Sequence, residues 1–401
     1  MLKNKNIILG VTGGIAVYKS VDLVSKLKKR GANVEVIMTK ASQEFVNPLT
    51  FQTMSVNPVH TSMFNEIDKF DVEHISLAQK GDIILIAPAT ANTIGKIANG
   101  IADNLLTTVV MASNKKIIFA PAMNTCMYNN PIVESNMKKL EQLGYEFIKP
   151  GTGRLACGDY GAGKMAEPED IVEYIDSFLT EKDLEGKDII ITAGPTIEAI
   201  DPVRYITNHS SGKMGYSIAK EALKRGAKVH LISGPTSLKP PKGVDFISVN
   251  TTDEMFKEVG KLFESCDILI KSAAPADLKP KKYSEEKIKK KQLDKDTFKL
   301  EFIRNPDIAE HYGNNKKNQI VIGFAAETND LIKNAKSKLE KKNFDFIVAN
   351  DITKKGAGFK TDTNIISIID NDRIEDYPIM GKEEIANIIL DKAVKISKNK
   401  S

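Results

Sequence analysis

Lys26–Met38 reads KLKKRGANVEVIM and Glu221–Ser233 reads EALKRGAKVHLIS, two copies of one pattern about 195 residues apart. In each, a basic run closes a helix, a glycine stands where helices end left-handed, and a short β-branched strand follows. Working outward, each copy is preceded by an apolar strand, Ile7–Leu9 or Ile189–Ile191, that runs into a glycine-containing turn. Strand, glycine turn, helix, glycine and strand make the opening of a βαβ unit. Its recurrence predicts two doubly wound, Rossmann-like α/β domains and not a solenoid. Gly31 follows Ile7 by 24 residues, whereas Gly226 follows Ile189 by 37. The second domain therefore carries about 13 extra residues at the carboxyl end of its first strand. Such strand ends are where these folds bind ligands.

Further buried strands are expected at Asp82–Ala87, Lys116–Ala120, Asp267–Lys271, Gln319–Phe324 and Phe344–Ala349. Thr363–Asp370 adds a late strand and Lys382–Ser397 a closing helix. The charged stretch Thr180–Lys187 separates the halves and sets the domains at 1–183 and 187–401. A length of 401 residues agrees with more than one core. With 41% hydrophobic and 27% charged residues, the chain is neither disordered nor collagen-like. Three cysteines are too few for a disulfide framework and lack zinc-ligand spacing, which points to a reducing cytoplasm. No apolar run approaches the roughly 18 residues of a membrane span. A net charge of +5, no Trp and 6% aromatics argue against a nucleic-acid partner.

Gly13 and Gly14 follow a strand and open a helix, an arrangement whose N–H groups can hold a phosphate. The segment GVTGGIAVYK lacks the G-x-G-x-x-G fingerprint, so a purely structural turn explains it equally well. More telling is Asp82–Thr93, DIILIAPATANT, where small polar groups follow directly on a strand. Pro121–Asn124, PAMN, is a second such edge, and two polar strand ends on one crevice imply a ligand site.

GGIAVYK, PATANT, PAMN, the His of DVEHISL and RLACGDYGAGKM together resemble the flavin-dependent cysteine decarboxylases. With the motifs of the second half, essentially the whole chain resembles the bacterial bifunctional family of coenzyme A biosynthesis, phosphopantothenoylcysteine decarboxylase/phosphopantothenate–cysteine ligase. That resemblance implies a flavodoxin-like N-terminal flavoprotein domain and a C-terminal nucleotide-binding ligase domain. It implies FMN at Gly13, Gly14 and Ile15, with Thr39, Thr90 and Asn92 nearby. The usual PASANT reads PATANT here, and Thr90 keeps the hydroxyl. His74 becomes the catalytic imidazole, Asn124 the amide that fixes the departing carboxylate, and Cys157 the proton donor on a glycine-rich lid. Cys126 and Cys266 are expected to be inert core cysteines. Direct loss of CO₂ from a cysteinyl carboxylate leaves an unstabilised carbanion; oxidation of the neighbouring thiol supplies the electron sink, and the flavin takes and returns the hydride.

In the second half, DPVRYITNHSSGKMG is by its residues a turn leading to a helix cap at Ser210 or Ser211. The ligase resemblance makes Asn208 the residue that aligns an acyl phosphate and Arg204 the contact for the substrate's phosphate. His209 stands where the family usually has Arg. Lys279–Lys295 holds eight lysines against three acids, by itself an ordinary solvated run. By resemblance it is a flap over a triphosphate, with Lys287 and Lys289 its working cations. Ala273 and Asp277 in KSAAPAD, Pro306, Asp307, Ile308 and Ala309, Phe324, and Lys338 and Lys342 complete the implied CTP pocket. The implied partners are 4′-phosphopantothenate, L-cysteine and CTP, with Mg²⁺ near Asp277 and its ligands unassigned. The implied assembly is a homo-oligomer of decarboxylase trimers and ligase dimers, together a dodecamer. Two other readings stand beside this one: an NAD(P)-dependent Rossmann oxidoreductase, which needs the missing fingerprint, and a non-catalytic regulatory flavoprotein, which has no need of His74 or Cys157.

Overall fold

Strands β1 (Asn6–Val11), β2 (Asn33–Met38), β3 (Val59–His60), β4 (Ile83–Ala89), β5 (Lys116–Pro121) and β6 (Glu146–Phe147) form one parallel sheet, ordered β3-β2-β1-β4-β5-β6. They belong to the first of two compact units, Met1–Thr180 and Glu181–Ser401, of a computed structural model that describes residues 2–63, 73–154, 160–289, 299–327, 331–351, 358 and 361–400. Every residue of β4, IILIAPA, is buried, because helices cover both faces of the sheet. On one face, Leu23, Val24 and Leu27 of helix Val17–Lys29 pack with Ile171 and Ile175 of helix Pro168–Leu179. On the other, Ile94, Leu106 and Val109 come from helices Ala91–Ala98 and Leu105–Ala112. Each such fully buried Leu or Ile contributes roughly 1.5–3 kcal/mol of transfer free energy. An antiparallel hairpin, β7 (Gly151–Arg154) and β8 (Tyr160–Lys164), stands apart from this sheet.

In the second unit, β9 (Asp188–Ala193) is followed by a small ribbon of β10 (Ile197–Ala199) and β11 (Tyr205–Thr207). This ribbon is the inserted segment, read from sequence as loop. Then come β12 (Lys228–Ser233), β13 (Asp245–Ser248), β14 (Ile268–Lys271), the pair β15 (Leu278–Pro280) and β16 (Phe302–Arg304), β17 (Ile320–Glu327), β18 (Phe346–Asp351), β19 (Thr363–Ile369) and β20 (Ile374–Gly381). The main sheet runs β13-β12-β9-β14-β17-β18-β19-β20, parallel except for the last two strands. Its first six strands repeat the winding of the first unit, so both halves are doubly wound. β20 escapes a reading by periodicity: it is an exposed edge strand containing Pro378, as edges tolerate.

The closing helix, Lys382–Lys400, packs Ile385, Ile389 and Leu390 into the core beside helix Lys213–Lys224. The division between units falls between Thr180 and Glu181, at the start of the charged stretch Thr180–Lys187. Leu184 is buried in the second core, and Asp183 accepts two bonds from the Arg225 guanidinium at 2.8 and 2.6 Å. Among the described residues, no helix is long and apolar enough to cross a membrane.

Candidate functional site

At the carboxyl ends of β1 and β4 the strand order reverses, which opens a crevice. A cavity of about 1050 Å³ lies there. Gly13, Gly14, Ile15, Thr39, Thr90, Asn92 and Asn124 all line it, so residues of three separate motifs meet there with Thr39. Thr12 ties two of those motifs together: its hydroxyl donates to the Pro88 carbonyl at 2.7 Å and accepts from the Thr90 N–H at 3.1 Å. Thr90 then caps helix Ala91–Ala98, as Asn124 caps the short helix Thr125–Tyr128 through a 2.7 Å bond from the Cys126 N–H. A side chain at Gly13 would put its Cβ 2.5 Å from the Ala41 Cβ and 2.9 Å from the Ala41 carbonyl carbon, so only glycine lets the turn close. Helix Val17–Lys29 opens here with no side-chain cap and no acid in its first turn. The Val17 and Lys19 N–H groups turn back on the Gly14 and Ala16 carbonyls at 3.0 Å, and the positive end of the helix dipole faces the crevice, which favours an anion there.

The β7–β8 hairpin is fastened to the same place. Gly163, at φ +123°, accepts from the Met123 N–H at 3.0 Å, and Thr125 donates to the Ala162 carbonyl at 2.8 Å. Cys157 falls in the stretch 155–159 between these strands, outside the described residues. His74 does not line this crevice. It is half-buried in the first turn of helix Glu73–Lys80. Its neighbour Glu73 instead pairs with His60 at 2.5 Å, and His60 also meets the buried Glu35 at 3.2 Å, a cluster with no sequence motif. Burial alone would lower the His60 pKa, but the two glutamates outweigh it and raise it. Cys266 is buried, as expected, and burial pushes its thiol up to about 12. Cys126 is exposed, contrary to expectation, because the helix that carries it buries none of its residues.

The second unit has its crevice at the equivalent point, the ends of β9 and β14, with a smaller cavity of about 320 Å³. Asn208, Ala273, Asp277, Ala309, Phe324, Lys338 and Lys342 line it. Asn208 bridges to the KSAAPAD turn, donating to the carbonyls of Ala274 at 3.0 Å and Pro275 at 3.1 Å. Helix Lys213–Lys224 starts at Gly212, φ +76°; Ser210 and Ser211 supply only long contacts, 3.4 and 3.5 Å, to its first N–H groups. Ile308 is core, while Pro306 and Asp307 lie beside the cavity and not in its lining. Asp307 caps the helix Ile308–Asn314 and pairs with Lys342 at 2.8 Å. Burial would raise the Asp307 pKa, but the Lys342 ammonium and a backbone donor hold it below the ordinary range.

Arg204, Lys287 and Lys289 also stand off the cavity wall. The Arg204 guanidinium donates to the Ile288 carbonyl at 2.6 Å, and Asp201 accepts from the Ile288 N–H at 3.3 Å. The inserted ribbon thus clamps the residue between the two flap lysines, and the rest of the flap, 290–298, lies outside the described residues. Sequence reading missed Lys213, Lys271, Asn350 and Lys382, which line the cavity from different segments. The one available signal was that Lys271 ends a predicted strand. Among the described residues, no group of three or more His, Cys, Asp or Glu is placed to hold a metal ion.

Residues 1–180 match the Flavoprotein family, and residues 184–396 match the family described as DNA/pantothenate metabolism flavoprotein C-terminal domain. The Coenzyme A biosynthesis bifunctional protein CoaBC of Bacillus subtilis is 48% identical, covering 99% of this chain and 98% of that one. The protein of the same name from Borreliella burgdorferi is 47% identical over 97% of this chain and 99% of its own length. Its Escherichia coli K12 counterpart is 40% identical over 98% and 97%. On full-length similarity of this degree, the chain belongs to the family of bifunctional coenzyme A biosynthesis enzymes, in which a flavoprotein decarboxylase precedes a ligase.

Proposed function

We propose that the second unit joins 4′-phosphopantothenate to L-cysteine using CTP, and that the first decarboxylates the 4′-phosphopantothenoylcysteine so formed to 4′-phosphopantetheine. The observation that carries this reading is the pair of crevices at equivalent strand ends. Both carry lysines, but the larger adds hydroxyls, an amide and a helix start without a side-chain cap, while the smaller is lined by five lysines.

FMN fits the first crevice by the chemistry of its donors. The open helix start beside Gly13 and Gly14 suits the phosphate, and the Thr39 and Thr90 hydroxyls stand next to it. When bound, FMN supplies the reversible hydride acceptance that makes loss of the cysteinyl carboxylate feasible. Asn124 offers both a donor and an acceptor for that carboxylate. Cys157, on the segment between β7 and β8, is our proton donor to the product enethiolate. His74 stands off the crevice of its own chain, which suits a trimer in which it serves a neighbouring copy. The exposed Ile15, Tyr18 and Met127 at the mouth support such assembly.

In the second unit the phosphopantothenate carboxylate attacks the α-phosphate of CTP, forming an acyl-cytidylate and releasing pyrophosphate. The cysteine amine then attacks the acyl carbon and CMP leaves. Lys338 and Lys342 neutralise the phosphates. Asn208 aligns the acyl phosphate, and Lys287 and Lys289 close over the polyphosphate from a flap that Arg204 holds at Ile288. Mg²⁺ bound chiefly by the phosphates needs few protein ligands, with Asp277 the nearest carboxylate in the lining. We take the ligase units to pair as dimers, a dodecamer in all, in the reducing cytoplasm.

A visible spectrum and one assay test the reading. Purified protein should show flavin bands and, given phosphopantothenate, cysteine, Mg²⁺ and CTP, release pyrophosphate and CO₂. ATP serving as well as CTP would overturn the nucleotide assignment, and colourless protein that still makes the amide would overturn the role of the first unit.

A further inference from the structure

The second-unit crevice is lined by Lys213, Lys271, Lys338, Lys342 and Lys382, with Asp277 as its one acidic lining residue among those described. Most of these ammonium groups are engaged. Lys213 pairs with Asp362 at 2.7 Å and Lys342 with Asp307 at 2.8 Å, while Lys382 donates to the carbonyls of Gly358 and Thr361 at 3.2 and 2.5 Å. Lys271 stands partly buried at the very end of β14, and its ammonium has no hydrogen bond or ion pair among the described residues. A second observation lies across the same cavity. Asn350, at the end of β18, is only 8% exposed, and its Oδ1 has no hydrogen-bond partner among the described residues. A buried amide oxygen left unpaired is costly, and in a ligand cavity the natural remedy is a donor on the ligand.

We propose that Lys271 and Asn350 are two further ligand-binding residues of this crevice: Lys271 pairs with an anionic oxygen of the nucleotide's polyphosphate, and Asn350 accepts a hydrogen bond from an N–H or O–H of its nucleoside. This rests on the reading of the crevice as the nucleotide site and adds two contacts to it. A nucleoside triphosphate meets both demands, since it carries anionic oxygens and also hydroxyl and amine donors. Inorganic pyrophosphate meets only the first. The surroundings of Lys271 support an anion. Burial, with Lys342 and Lys338 adding repulsion against the weaker attraction of Asp307 and Asp277, brings its ammonium down to about 8. An anion seated among these groups raises that value again, so binding at pH 8 takes up a proton at Lys271.

The test is calorimetric titration of the full-length protein with CTP and, separately, with pyrophosphate, in two buffers of different ionisation enthalpy. Lys271→Met should weaken both ligands about tenfold and abolish the part of the proton uptake that the parent shows. Asn350→Leu should weaken CTP by a similar factor and leave pyrophosphate unchanged, which also shows that the second unit has folded. Lys342→Met serves as the control for the underlying reading. If Lys271→Met and Asn350→Leu bind CTP like the parent while Lys342→Met does not, the proposal fails and the nucleotide site stands. If Lys342→Met also binds normally, the reading of the crevice has failed beneath it.

Discussion

The two crevices occupy the same point of the same winding and yet are chemically unlike. In the first, three of the four lining lysines are answered by acids: Lys19 and Lys164 meet Glu167, and Lys96 meets Asp103. What remains is a large space, about 1050 Å³, faced by threonine hydroxyls, an amide and backbone N–H groups. In the second, a space of about 320 Å³ is lined by Lys213, Lys271, Lys338, Lys342 and Lys382; Lys213 and Lys342 pair with Asp362 and Asp307, while the Lys271 ammonium meets no acid among the described residues. A flavin is a large, mostly neutral ring system with one phosphate, and it is positioned by neutral donors. A departing pyrophosphate gathers negative charge as it leaves and needs cations in place beforehand. The fold supplies the location of a site, and the side chains at the strand ends supply the chemistry.

The strongest test of this division exploits a glycine in each crevice. Gly13→Val should yield nearly colourless protein that still makes the amide, because a Cβ there meets Ala41 at 2.5 Å. Gly215→Val should do the reverse and keep the flavin, since its Cβ would lie 2.5 Å from Ser272 Oγ and 2.6 Å from Ala193 Cβ. Loss of both activities in either variant would break the comparison.

A smaller effect is expected from the paired asparagines. Asn124→Asp should slow decarboxylation about 10²-fold with amide synthesis intact. Asn208→Asp cannot donate to the Ala274 and Pro275 carbonyls and should slow amide synthesis about as much, with acyl-cytidylate accumulating. Steady-state rates of the two half-reactions read this directly, and equal effects on both reactions would be contrary to it.

The smallest effect concerns pH. The raised pKa of His60 means that its stabilising protonation is complete below its ordinary value of about 6.5 and is lost as pH rises through the folded value. Lys271 and Lys382 act oppositely. Both are lowered to about 8 by burial first and like charge second, so the folded state disfavours their protons and stability rises between pH 8 and 10.5. The Arg225 guanidinium, its pKa lowered by burial but raised overall by its ion pairs to Asp183 and Asp391, stays charged throughout this range. From pH 6 to 9, flavin release should therefore occur a few degrees lower, while the calorimetric transition of the second unit holds or rises. His60→Gln should flatten the first slope, and an unchanged slope would remove His60 from the account.

Much of this was legible along the chain. The repeated helix-glycine-strand pattern marked both sheets because β-branched runs buried on two faces have few other solutions, and PATANT and PAMN marked strand ends that do converge. The ribbon Ile197–Thr207 was not legible, since three-residue strands carry no periodicity. Arg204 was implied by resemblance as a phosphate contact; that its guanidinium bonds the Ile288 carbonyl, 84 residues away, no local signal could carry. His74 was likewise implied by resemblance, and that it stands outside the crevice of its own chain is a matter of packing.

The local code, with its hydrophobic period, glycine positions and polar residues after strands, specified two doubly wound units and where their ligands belong. It did so because each of those signals acts within a few residues. Which lysines gather at the second cavity needed packing as well: Lys338 and Lys342 were expected there, Lys271 and Lys382 were not. The four come from a strand end, two helices and the turn after one of them, more than 100 residues apart at their extremes. A lysine that solvates an exposed face and one that stands unpaired in a crevice are the same letter, and only burial and the charges brought beside it tell them apart.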